Sequence, residues 1–169
     1  MAHSLVEQLR FTRNEFMRCI DGITENEAQQ RIYPMNAIGW MIGHLADQEN
    51  NYWVFGGLGK IVYPDLNDKV GFGKPPSTPA LSEMLTVWQE ITTTADIYLE
   101  SLTPLVMETK MVVKGTIRKE NIGTMVYRNT YHYWFHLGEA YSIRQLLGHT
   151  NLPSFVGNMT SFNYRSENQ

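Results

Sequence analysis

Between Leu81 and Leu102 the apolar residues Leu81, Leu85, Trp88, Ile91, Ala95, Tyr98 and Leu102 recur at intervals of three and four. That is the α-helical period, in which residues so spaced share one face. An apolar stripe of this length must be covered by another element, so it restricts the chain to folds that bury a long helix against a second layer. Thr78 and Pro79 read as N-cap and first helical residue, and Pro104 closes the helix. Three more segments carry the same signal. The first runs from Ser4 to Ile20, with Leu5, Leu9, Phe16 and Ile20 on one face, Arg10, Arg13 and Glu15 elsewhere on the wheel, and Asp21-Gly22 as a stop. The second runs from an Asn36 N-cap to about Phe55, with Gly56, Gly57 and Gly59 ending it. The last begins at Asn121 or Thr124 and ends at Leu147, with Gly148 just past its end.

Between these lie weaker signals. Thr24 and Glu27 form a capping box for a short helix that stops before Pro34. Residues 105–121 carry a β signal around Lys114-Gly115, read as a small hairpin or an extended crossover. Four amphipathic helices without a convincing sheet predict an all-α fold, a four-helix bundle. The long connections 56–78 and 103–121 argue for crossovers rather than a simple up-down-up-down meander. A length of 169 residues suits one domain, taken as 1–157, followed by a tail at 158–169 that is polar at its end and packs only in part.

Several functions are disfavoured by what the sequence lacks. No stretch approaches the roughly 20 apolar residues of a membrane span, and the charged start shows no signal-peptide pattern, so a cytoplasmic protein is expected. The net charge of -3 comes with no basic block, so no nucleic-acid partner is expected. Gly59-Lys60 is followed by Ile61 and preceded by no buried strand, so it is not a phosphate loop. The single cysteine, Cys19, excludes a cysteine-based zinc site and reads as a half-buried helix residue.

The histidines carry the chemistry. His3, near the terminus, and His149, past a helix-ending glycine, read as surface residues. His132 and His136 are one helical turn apart and share the stripe Met125, Asn129, His132, His136, Ile143, Leu147, which must face the core. Two imidazoles in a core need partners for their ring nitrogens, and a divalent metal supplies one to both. His44 sits mid-helix in Gly39-Trp40-Met41-Ile42-Gly43-His44-Leu45, where Gly39 and Gly43 allow a facing helix to approach and bring His44 to the same point. Three neutral imidazoles with an open position form a catalytic rather than a structural metal site, one that lowers the pKa of a bound water or thiol or polarises a carbonyl. The competing reading has all three satisfied by Tyr, Asn and backbone carbonyls.

The run from Asn36 to Glu49, with His44 at its centre, resembles the second-helix motif of the DinB/YfiT-like superfamily. The run Tyr131-His132-Tyr133-Trp134-Phe135-His136-Leu137-Gly138-Glu139-Ala140, followed by Ile143-Arg144-Gln145 and Gly148-His149, resembles its fourth-helix motif. The resemblance covers roughly residues 1–157. It implies a four-helix bundle whose His44, His132 and His136 bind Zn2+ or Ni2+, frequently as a homodimer. Relatives in that superfamily include thiol S-transferases acting with bacillithiol or mycothiol and a thiol-dependent maleylpyruvate isomerase; others carry only a hydrolase assignment. It therefore implies a small-molecule substrate and a low-molecular-weight thiol cosubstrate. This chain departs from the family's His-Arg-Gly-Gln run with His136-Leu137-Gly138-Glu139.

Asp47 and Gln48 lie one turn beyond His44, Asn51 two turns beyond it, and Glu139 one turn beyond His136. A carboxylate so placed orients a ligand histidine or takes a proton, although a solvated helix face is the commoner use. Asn129 and Tyr133 flank His132 as candidate pocket walls. The aromatics Trp40, Tyr52, Trp53, Trp88, Tyr127, Tyr131, Trp134 and Phe135 read as core or dimer surface, and Trp134 and Phe135 fall off the histidine stripe, so that one of them faces a partner subunit. Two functional classes follow: a metal-dependent transferase or hydrolase that activates a thiol or water toward a small electrophile, or a non-enzymatic ligand-binding or dimeric interaction module with a structural or vestigial site.

Overall fold

Helix α1 spans Ser4–Ile20 and buries Val6, Leu9, Phe16 and Ile20. In the computed structural model, which describes residues 2–160 and 162, its N-cap is His3, whose Nδ1 accepts the Leu5 amide at 3.2 Å. His3 is therefore a helix cap, half-buried, and not a free surface residue. Helix α2, Glu25–Gln29, carries the full Thr24/Glu27 capping box. Helix α3 runs Ile38–Glu49 and passes without a break into a π-helical segment, Asn50–Gly57. A short helix, α4 (Leu66–Val70), lies in the connection that reads from sequence as loop. Helices α5 (Leu81–Leu99) and α6 (Pro104–Met107), strands β1 (Lys110–Val113) and β2 (Thr116–Asn121), and helix α7 (Ile122–Leu146) complete the order.

The fold is mostly helical. Helix α1 packs along α7, α3 along α5, and α3 also meets α7, so the buried side chains of the four long elements meet in one core that includes Phe16, Met41, Leu45, Ile91 and Ile143. No helix among the described residues is long and apolar enough to cross a membrane. The β signal at Lys114-Gly115 is a hairpin: Lys114 (φ 48) and Gly115 (φ 77) both take positive φ, as a two-residue turn of the right twist requires. Asn121 caps α7 by accepting the Thr124 amide at 2.8 Å.

The second long helix ends in the glycine cluster as expected: Gly57 is the last residue of the π segment and Gly59 (φ 67) follows it. A Cβ on Gly57 would sit 2.5 Å from the Tyr98 ring, so this glycine is there for close packing on α5. Two local expectations are corrected. Thr78 does not cap α5. The Glu25 carboxylate of α2 accepts the Leu81 and Ser82 amides at 2.6 and 3.2 Å, so the cap comes from another helix. Arg13 and Glu15 are not on a solvated face; both are buried.

Arg13 belongs to a polar cluster that joins all four long elements. Its Nε donates to Glu49 on α3 at 2.8 Å and its Nη1 to Asp96 on α5 at 2.7 Å. Glu49 also accepts the Tyr133 hydroxyl of α7 at 2.6 Å, and that hydroxyl oxygen accepts the Trp88 indole N–H at 2.7 Å. Burial opposes the Arg13 charge, but the facing Glu49 carboxylate more than offsets it and holds the guanidinium ionised. Near the other end, His149 is likewise engaged, meeting Glu27 at 3.0 Å and accepting from Arg144 at 3.1 Å, and not free at the surface.

Cys19 is more buried than half, its Sγ 3.7 Å from the Leu137 carbonyl; burial pushes its thiol pKa up, away from a nucleophile's range. The chain beyond α7 returns along α1, where Gly157 donates its amide to Glu15 at 2.8 Å and the Phe162 ring stacks on Phe11 at 4.8 Å. The polar end of the tail, residues 163–169, lies outside the described residues.

Candidate metal centre

Helix α3 brings His44, and α7 brings His132 and His136, to one point. One ring nitrogen from each lies within 4.8 Å of the others. The Nε2 atoms of His132 and His136 are 3.0 Å apart. Two nitrogens bound to one ion at about 2.0–2.1 Å stand about 3–3.4 Å from each other, so the pair already has ligand spacing.

The other ring nitrogen of each histidine is held by an acceptor, and this fixes which nitrogen carries the proton. His44 Nδ1 lies 2.8 Å from the Val70 carbonyl, which can only accept, so Nδ1 donates. His136 Nδ1 lies 2.6 Å from a Glu139 carboxylate oxygen. For His132 the argument runs through three side chains. The Trp53 indole N–H, a donor only, meets Asn129 Oδ1 at 2.7 Å. Asn129 must then offer Nδ2, which donates to Gln48 Oε1 at 2.8 Å. Gln48 therefore presents its oxygen to His132 Nδ1 at 3.0 Å, and that nitrogen carries the proton. With the rings neutral, all three histidines turn a bare Nε2 inward, a donor set that fits a divalent cation.

Burial favours the neutral, ligating form. It pushes the His44 pKa down to about 4, against the Val70 bond, and His132 down to about 3, helped by the neighbouring His136 and His44. Trp40, one turn before His44 on α3, stacks on the His44 ring (centroids 4.4 Å apart, planes at 16°) and meets the His136 ring edge-on at 6.1 Å.

His44 and His132 open onto a cleft of about 980 Å³, while His136 lies beneath it at 5% exposure. Asp47 and Gln48 are on the cleft wall; Asp47 accepts from Asn67 of α4 at 2.6 Å, and burial raises its carboxyl pKa. Asn129 is buried behind Gln48 and does not line the cleft. Tyr133, fully buried, points to the Arg13–Glu49 cluster instead. Asn51 is exposed, its amide turned to the Asp47 carbonyl.

Sequence reasoning placed the three histidines together but missed the Val70 carbonyl, which lies on a helix with no strong signal of its own. It also misassigned Gly39 and Gly43. They do not face α7. A Cβ on Gly39 would meet the Pro79 carbonyl oxygen at 2.5 Å, and one on Gly43 would meet Met84 Sδ at 2.6 Å and Val70 Cγ1 at 3.0 Å. Gly43 lets α4 approach closely enough for Val70 to reach the adjacent His44.

The family model of the DinB superfamily matches residues 8–140. The chain belongs to the DinB superfamily. The match takes in all three histidines of this DinB chain and stops just past Glu139, the position where it departs from the expected Gln and where its carboxylate holds His136. No curated protein matches the chain. Chemically, three inward Nε2 atoms beside an open cleft can hold a divalent cation and leave coordination positions free for a ligand.

Proposed function

We propose that this DinB-superfamily chain is a metal-dependent enzyme in which His44, His132 and His136 hold one divalent cation, Zn2+ or Ni2+, at the floor of the cleft. The observation that carries the reading is the convergence of three bare Nε2 atoms whose Nδ1–H groups are each committed elsewhere. When bound, the cation would supply Lewis acidity toward a thiol or water. The chain's own residues would do the rest. Val70, Gln48 and Glu139 orient the three rings, and Trp40 holds His44 flat against its face. Asp47, with one oxygen held by Asn67, offers the other as a proton acceptor on the cleft wall. The reaction proposed is of the thiol S-transferase or hydrolase type on a small electrophile, with a low-molecular-weight thiol as cosubstrate in the first case. The four long helical elements are read as a DinB-type four-helix bundle over 1–157, cytoplasmic and homodimeric.

Purification without chelators followed by elemental analysis tests the metal. About one Zn2+ or Ni2+ per chain is expected, together with a rise in Tm on adding either ion to stripped protein. Metal-free protein with no thermal response to either ion removes the proposal.

A non-enzymatic binding module is the second reading. It is favoured by the commitment of Gln48 and Glu139 to the histidines, which takes both side chains out of any role toward a substrate. A His136→Ala variant that folds and binds its ligand as well as the parent would support it.

A further inference from the structure

The walls of the cleft differ in character from its floor. Tyr127, Tyr131 and Phe135 follow one another at intervals of four on α7, and the first two stack at 6.0 Å with planes at 18°. Phe72, just after α4, also lines the cleft, 94% exposed and just before Gly73 at φ 77. Tyr52 also lines the cleft, and burial raises its phenol pKa, keeping it neutral. Four large exposed aromatics around one opening form the kind of apolar rim that marks a binding site.

The charges point the same way. Arg128, the one arginine on the cleft wall among the described residues, is neutralised by a two-pronged pair with Glu120, with Nε 2.8 Å from one carboxylate oxygen. Among the described residues the Asp47 carboxylate, in contrast, is met by the Asn67 amide and by no cationic side chain. In the metal-free chain an anionic body in this cleft would meet an already satisfied arginine and an uncompensated carboxylate. A flat uncharged body would meet the aromatic side chains that line the cleft.

We propose that the cleft binds an uncharged aromatic molecule, its ring system between Phe72 and the Tyr127–Tyr131–Phe135 stripe, with one hydroxyl or thiol directed at the histidines. The ring-binding part stands on the walls alone; the direction of the heteroatom rests on the metal reading above.

Two probes share a head group and differ only in body charge: 2-naphthol and 6-hydroxynaphthalene-2-sulfonate. Both are titrated calorimetrically into the full chain, stripped and Zn2+-loaded, with metal content measured separately. Naphthol is expected to bind both forms, and to bind the stripped form at least tenfold tighter than the sulfonate. Phe72→Ala and Tyr131→Ala, at exposed positions, should each weaken naphthol by roughly three- to tenfold. Glu120→Gln, which frees Arg128, should narrow or reverse the preference by tightening the sulfonate. Naphthol binding that fails in both forms, or that is unchanged in Phe72→Ala and Tyr131→Ala, overturns the inference whatever the metal content. A Tyr131→Ala variant that loses self-association by light scattering while binding naphthol normally also overturns it, since the stripe is then a contact between copies. Naphthol binding by a chain that never takes up metal supports the ring-binding walls and removes only the metal reading.

Discussion

The Gln48 side-chain oxygen stands 3.0 Å from His132 Nδ1 and 2.8 Å from Asn129 Nδ2, so one atom receives hydrogen bonds from two residues of α7. Its orientation is dictated from the far side by Trp53, through Asn129. The direction in which His132 offers its lone pair is thereby decided two residues away, in the core.

Gln48→Leu should therefore lower Zn2+ affinity by about 10- to 100-fold while the far-ultraviolet CD spectrum stays that of the parent. Asn129→Leu should act in the same direction through Gln48. Competition against a chromophoric chelator measures both. Parental affinity in Gln48→Leu means that the bond does not orient the ligand.

Gly43→Ala tests the approach of α4. The new Cβ would crowd Met84 and Val70, and easing it moves the Val70 carbonyl off His44. A loss of about 1–3 kcal/mol in urea unfolding is expected from overpacking, accompanied by weaker Zn2+ binding. A stable variant with unchanged binding would mean that Met84 simply swings aside.

Arg13 and Glu49 are both buried, so removing one strands the other. Glu49→Leu should cost about 3–5 kcal/mol, and the Arg13→Met/Glu49→Leu pair should recover much of that loss. Chemical denaturation of the two singles and the double gives the coupling. Additive losses would show that the ions do not act as a pair.

Glu27 supplies the pH dependence. Its carboxylate accepts the Thr24 hydroxyl and amide and meets His149, and these hydrogen bonds, those to Thr24 first, lower its pKa to about 2 from an ordinary 4.5. A carboxyl depressed on folding stabilises the native state above its unfolded pKa, and that stability is lost as the pH falls through the window from about 4.5 to about 2. Tm recorded across this window should fall less steeply for Glu27→Gln than for the parent. Parallel curves would show that the carboxylate gives the fold nothing beyond what the amide gives.

The sequence alone determined the four long helical segments, the capping box at Thr24 and the inward face of His132 and His136. These are properties of residues three or four apart, and the helix itself brings such residues together. The same locality explains the misreadings. Arg13 read as lying off the core face because its partner lies 36 residues away, and the cap of α5 read as Thr78 because Glu25 lies 56 residues before it. Around the histidines the acceptors come from 26 residues away for His44 and 84 for His132, while Glu139, three residues from His136, was within reach of helical spacing. Tertiary structure decided the rest. Packing selects, among the many polar groups of the chain, the ones that meet a given ring, and only where helices cross is it fixed that three imidazoles turn their bare nitrogens toward the same point.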